Sequence, residues 1–209
     1  MATATSIATA DSWLNGAAAS QATNYSTDAT AFAGWVSGGG GGAKRPLLYF
    51  PIAGIIPVNS TSISLGLYIT SAPVVAGSLG CYQYDEVYNG QIVAAQATWL
   101  NYATAAPWGA PGGDYSPTPT KAFTGPTSAN ENTIFSIDVS DVVLPAAAAA
   151  WAGIWLTLRN AAESGATKQF SFATLEGANP FPTLTATYPS TDTARPTVGG
   201  AAKHRVIAY

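Results

Sequence analysis

Hydrophobic and polar positions alternate along much of this chain with a period of two. Within residues 61–70, Ile63, Leu65, Leu67 and Ile69 share one side. Phe135, Ile137 and Val139 repeat the pattern in 133–139, and Ile154, Leu156 and Leu158 oppose Trp155 and Thr157 in 153–159. Phe170, Phe172 and Thr174 alternate, as do Leu184, Ala186 and Tyr188. Residues 5–10, 32–36, 47–50 and 78–84 give four further runs. Successive side chains of a strand point to opposite faces, so each run predicts a half-buried strand. About nine short strands between turn-rich loops predict an all-β fold, an antiparallel β-sandwich or jelly roll.

Helical patterning is confined to one place. Pro145, followed by five alanines and Trp151, predicts a short helix near 145–151 with proline at its first position. The five glycines 38–42 lack the lysine and hydroxyl offsets of a phosphate loop and predict a hairpin tip. Residues 97–115, ATWLNYATAAPWGAPGGDY, form a long loop framed by Trp99 and Trp108 and rich in turn-forming residues. The chain divides into a sandwich domain, 1–189, and an extended C-terminal arm, 190–209, which lacks the alternation until its last four residues.

Composition narrows the function. Of 209 residues, 47% are hydrophobic and only 9% charged, a surface suited to extracellular β proteins and packed assemblies. The net charge is −3, divided as −5 over 1–189 and +2 over 190–209. Clustered bases that would bind nucleic acid are absent from the domain. No apolar run reaches membrane-spanning length. The first residues, MATATSIATADSW, have neither the basic nor the apolar run of a secretory leader. Export by cell lysis, as for virion proteins, or a leader already removed is therefore expected. A single cysteine, Cys81, rules out a disulfide within the chain and reads as a small buried hydrophobe.

Several landmarks occur in a recognisable order. They are Ala10-Asp11-Ser12-Trp13, Asn24-Tyr25, Arg45-Pro46-Leu47-Leu48-Tyr49-Phe50, Leu67-Tyr68, and Ala97-Thr98-Trp99-Leu100-Asn101-Tyr102 through Trp108 to Gly112-Gly113-Asp114. Ile137-Asp138-Val139-Ser140-Asp141-Val142, Trp151 with Gly153, residues 170–176 and Pro182-Thr183-Leu184-Thr185-Ala186-Thr187-Tyr188 complete the set. Together these resemble the DNRLRE family over roughly residues 5–189. The resemblance implies a carbohydrate-binding-module-like jelly roll found in surface or secreted proteins and in some phage structural proteins. It implies no catalytic residues, and it implies a core-anchoring role for Trp99.

The candidate chemistry is sparse. The one histidine, His204, lies in the arm, so the domain holds no Ser-His-Asp arrangement. Asp85-Glu86 and Asp138/Asp141 are the only close carboxylates; the latter two read as caps of a turn and the short helix. No His or Cys cluster supports a zinc site. No cofactor is expected, with a structural calcium left open at Asp11, Asp28, Asp114 and Glu176. Tyr82, Tyr84 and Tyr88 add to an aromatic supply in which Trp35, Trp108 and Tyr115 are the candidate glycan contacts.

In the arm, Arg195, Lys203, Arg205, Ile207 and Tyr209 are candidate assembly contacts, because a basic then apolar terminus can strap onto a neighbouring sheet. Two functions from different classes follow. One is a non-enzymatic phage virion protein (capsid decoration, fibre or collar), partnered by other virion proteins and by copies of itself. The alternative is a secreted or cell-surface carbohydrate-binding module partnered by surface glycans. Neither reading involves nucleic acid or a membrane.

Overall fold

A computed structural model describes residues 1–190 apart from 39, 40, 86, 87, 89, 162 and 164, with backbone alone for 118–120. The strands are β1 (Ala2–Ile7), β2 (Ala10–Asn15), β3 (Thr30–Val36), β4 (Gly42–Pro51), β5 (Ser62–Ser71), β6 (Ser78–Tyr84), β7 (Asn101–Ala103), β8 (Ala106–Pro107), β9 (Tyr115–Thr124), β10 (Ile134–Asp138), β11 (Gly153–Asn160), β12 (Lys168–Ala173) and β13 (Thr183–Tyr188). One helix, α1 (Ser140–Ala148), separates β10 from β11. The pairings of neighbouring strands are antiparallel, so the fold is the expected all-β sandwich. Among the described residues no helix is long and apolar enough to cross a membrane.

One layer is built from β1, β13, β5 and β10. The other runs from β12 through β3 and β4, with β2 beside β4, to β11, β6 and β9. β5 joins the two, because its end pairs with β12 across a register shift between Ser171 and Phe172. The alternating residues read from the sequence meet between the layers. Ile63, Leu65, Leu67 and Ile69 face Leu48, Phe50, Ile154, Leu156, Leu158, Phe170 and Phe172 in one core. Each such side chain contributes roughly 1.5–3 kcal/mol by leaving water.

The structure also corrects several boundaries. The run 5–10 is not one strand: Ala8 N–H bonds to the Pro182 carbonyl and Thr9 N–H to the Tyr49 carbonyl, so the chain crosses between layers there. β9 shows no alternation in the sequence because Pro117 and Pro119 interrupt its pattern, which an edge strand tolerates. β3 and β4, which flank the glycine run, pair as a hairpin, with Val36 opposite Gly42.

The helix begins five residues earlier than expected, and Pro145 lies inside it. Val142, Val143, Ala146 and Ala147 supply its buried face. Asp138 organises its start by accepting the Ser140 N–H at 3.0 Å and the Ser140 hydroxyl at 2.6 Å. Asp141 does not cap; it pairs with Lys121 at 3.2 Å. At the other end Trp151 N–H reaches the Ala146 carbonyl and Ala150 N–H the Ala147 carbonyl. This is a Schellman closure with an alanine, φ 56°, where glycine is usual.

Candidate binding surface

In the second layer, β4 and β11 are buried on both faces. Leu47 and Tyr49 alternate with Leu48 and Phe50 along β4, and Trp155 alternates with Leu156 along β11. Leu47, Tyr49 and Trp155 point away from the core into a second apolar cluster with Leu14, Tyr84, Ile92, Ala97, Trp99 and Trp108. The cover is the long loop between β6 and β9. The pattern along β4 and β11 is therefore nearly continuously buried.

The loop holds its shape by closing hydrogen bonds on itself. The Thr98 hydroxyl accepts the N–H groups of Leu100 and Asn101, at 3.3 and 3.1 Å. The Trp108 indole donates to the Thr98 carbonyl at 2.9 Å. The Asp114 carboxylate takes the N–H groups of Gly109 and Ala110, at 2.5 and 2.8 Å. The side-chain amide of Asn24 ties the loop to the rest of the domain through the carbonyls of Ala94 and Ala97, each at 2.7 Å. Gly112, with φ 90°, must be glycine: a Cβ there would sit 2.5 Å from the Arg45 guanidinium and 2.7 Å from the Trp99 ring.

Arg45 is the anchor beneath this cover. It is 6% exposed. Its guanidinium donates to the Gly112 carbonyl at 2.8 Å and to both Glu163 oxygens, at 2.9 and 2.7 Å. It also lies over the rings of Trp99 (4.7 Å) and Tyr115 (5.4 Å). Arg159 shares Glu163 at 3.1 Å and covers Tyr115 at 5.3 Å. Burial opposes the charge on Glu163, but the hydrogen bonds and charges of Arg45 and Arg159 outweigh it and hold the carboxyl below its usual range. No local motif in the sequence marks Arg45 as an anchor. The available signal was a basic pair set inside a strand that is otherwise apolar.

The candidate glycan contacts separate in this setting. Trp108 is 5% exposed, stacks on Tyr84 at 5.4 Å and is met edge-on by Tyr88 and Tyr102, each at 5.6 Å. It is a packing residue and cannot present a face to a sugar. Trp99 is buried, as the resemblance implied. Tyr115 is half-buried between the two arginines and next to Tyr82 at 5.1 Å. Trp35 is half-buried at the end of β3 and donates to the Gly165 carbonyl at 3.3 Å. The structure does not bring Trp35, Trp108 and Tyr115 together as one exposed platform.

Of the four candidate calcium ligands only Asp11 and Glu176 adjoin; the four do not converge on one point. Asp114 is turned to its own loop, and Asp28 accepts the Trp13 indole N–H at 3.0 Å. Asp11 accepts the Leu175 N–H at 2.8 Å beside Glu176. Its carboxyl is pushed up to about 7, chiefly by burial, with the charge of Glu176 adding to the shift. Among the described residues no group of three or more His, Cys, Asp or Glu side chains could hold a metal ion. The candidate assembly residues Arg195, Lys203, Arg205, Ile207 and Tyr209, and His204 with them, lie outside the described residues. No family model matches the chain, and no curated protein matches it.

Proposed function

We propose that the chain is a structural protein of a phage virion, a capsid decoration, fibre or collar component that acts through protein contacts. The observation that carries this reading is the covered second layer. A sheet that presents a sugar platform needs an open face, and antiparallel sheets commonly leave one to solvent. Here the loop occupies the outer face of β4 and β11, and Trp99 and Trp108 are used in packing. The exposed features include loops and the end strands β1 and β9, which suit contacts with neighbouring subunits. The 9% charge content and the resemblance to the DNRLRE family, which includes phage structural proteins, support the same reading.

Density-gradient fractionation of the natural source, probed for this protein, tests it. Banding with DNA-containing particles is the expected result. Recovery only in soluble or cell-surface fractions would overturn the proposal. Deleting residues 190–209 is expected to leave the domain folded and to abolish incorporation into particles.

A second reading, a carbohydrate-binding module, is favoured by the half-buried Tyr115 with Tyr82 and Arg159 beside it. It requires glycan binding that Tyr115→Ala abolishes.

A further inference from the structure

An apolar pocket of about 140 Å3 opens where the 52–58 loop meets the end of α1. Ile52, Ala53, Ile56, Val58, Ala147 and Trp151 line it. Ile52 and Ile56 are buried, whereas Val58 is 73% exposed. An apolar space of this size accepts a ring or a branched aliphatic side chain.

Two neighbouring features narrow the occupant. The pocket lies against the C-terminal end of α1, whose carbonyl groups carry partial negative charge, and the last turn of α1 holds no basic residue. The chain also leaves the sandwich close by. The Thr61 N–H, three residues beyond Val58, bonds to the Thr187 carbonyl at 2.8 Å, and β13 ends at Tyr188.

The residues beyond carry matching chemistry: the basic Lys203-His204-Arg205, then Val206-Ile207-Ala208-Tyr209. A flexible spacer the length of 190–202 would span roughly 20 Å. Such a tether holds a segment near a neighbouring site at an effective concentration on the order of millimolar. We propose that residues 206–209 dock in this pocket of their own chain, with the aliphatic side chains in the void and the basic trio against the end of α1. The latch rests on the reading of 190–209 as an arm. An arm closed on its own domain in the free protein is released, or exchanged for a neighbour's, on assembly.

Disulfide trapping in the full chain tests the latch. Val58→Cys with Ile207→Cys reports docking; Val75→Cys with Ile207→Cys is the control. Val75 is 63% exposed and follows the far end of β5, so neither site disturbs the core. Cys81 is fully buried and its thiol is pushed up to about 12, so it does not compete. At micromolar protein, the Val58 pair is expected to close within one chain about tenfold faster than the control, the gain expected for burying one aliphatic side chain. Adding Val206→Asp is expected to return the rate to that of the control. Equal rates for the two pairs, a rate indifferent to Val206→Asp, or cross-links only between chains would each overturn the latch. Particle incorporation of the truncated chain reads the strap separately, so either idea can fail without the other.

Discussion

Asp11 is only 4% exposed, and none of the ion pairs among the described residues includes it. Its folded value, about 7, lies above the 3.8 it has in an unfolded chain. The folded protein therefore binds this proton more tightly, and the group's contribution to stability falls as pH rises from about 4 to 7 and then levels off. Thermal melts at pH 5 and pH 8 should show Asp11→Asn losing that slope and melting higher than the parent at pH 8. Asp138 acts in the opposite direction. Its hydrogen bonds from Ser140, aided by Lys121, hold it at about 2, so its contribution is present above pH 4 and lost below it. Ala150 offers an independent test at the same scale. Its left-handed backbone favours glycine, so Ala150→Gly should stabilise the protein by roughly 0.5–1 kcal/mol in a denaturant titration.

Among the elements, the loop between β6 and β9 depends most on a single side chain. Arg45→Ala leaves Glu163 without its bidentate partner and removes the support beneath Gly112, at an expected cost of about 3–5 kcal/mol in chemical unfolding. Arg45→Lys should recover only part of this loss, because an ammonium cannot form the planar fork. The strands that the sequence made legible, such as β5 and β10, present one face to the core and so alternate visibly. The start of the helix is hidden in the sequence because Val142 and Val143 look like strand residues and only the alanine run looks helical. The arginine anchor was hidden because Arg45 and Glu163 lie 118 positions apart, and no local pattern links them.

At the scale of the whole molecule, the two-layer class followed from periodicity alone, but the covering of the second layer did not. Alternation predicts that Trp155 and Thr157 lie opposite Leu156; it cannot indicate that a distant loop buries them too. Phe172→Ala, in the core between the layers, should cost about 3–5 kcal/mol and lower the midpoint of the whole transition. The covering loop has an optical consequence. Trp35, Trp99, Trp108 and Trp155, four of the six indoles, belong to or pack against the outer cluster, whereas Trp13 and Trp151 belong to the inner one. Intrinsic fluorescence is therefore weighted toward the lid, while far-ultraviolet circular dichroism reports on the strands of both layers. If the lid lifts before the sandwich opens, the emission shift will precede the loss of ellipticity along a urea gradient. Coincident curves would mean that the lid and both layers melt as one cooperative unit.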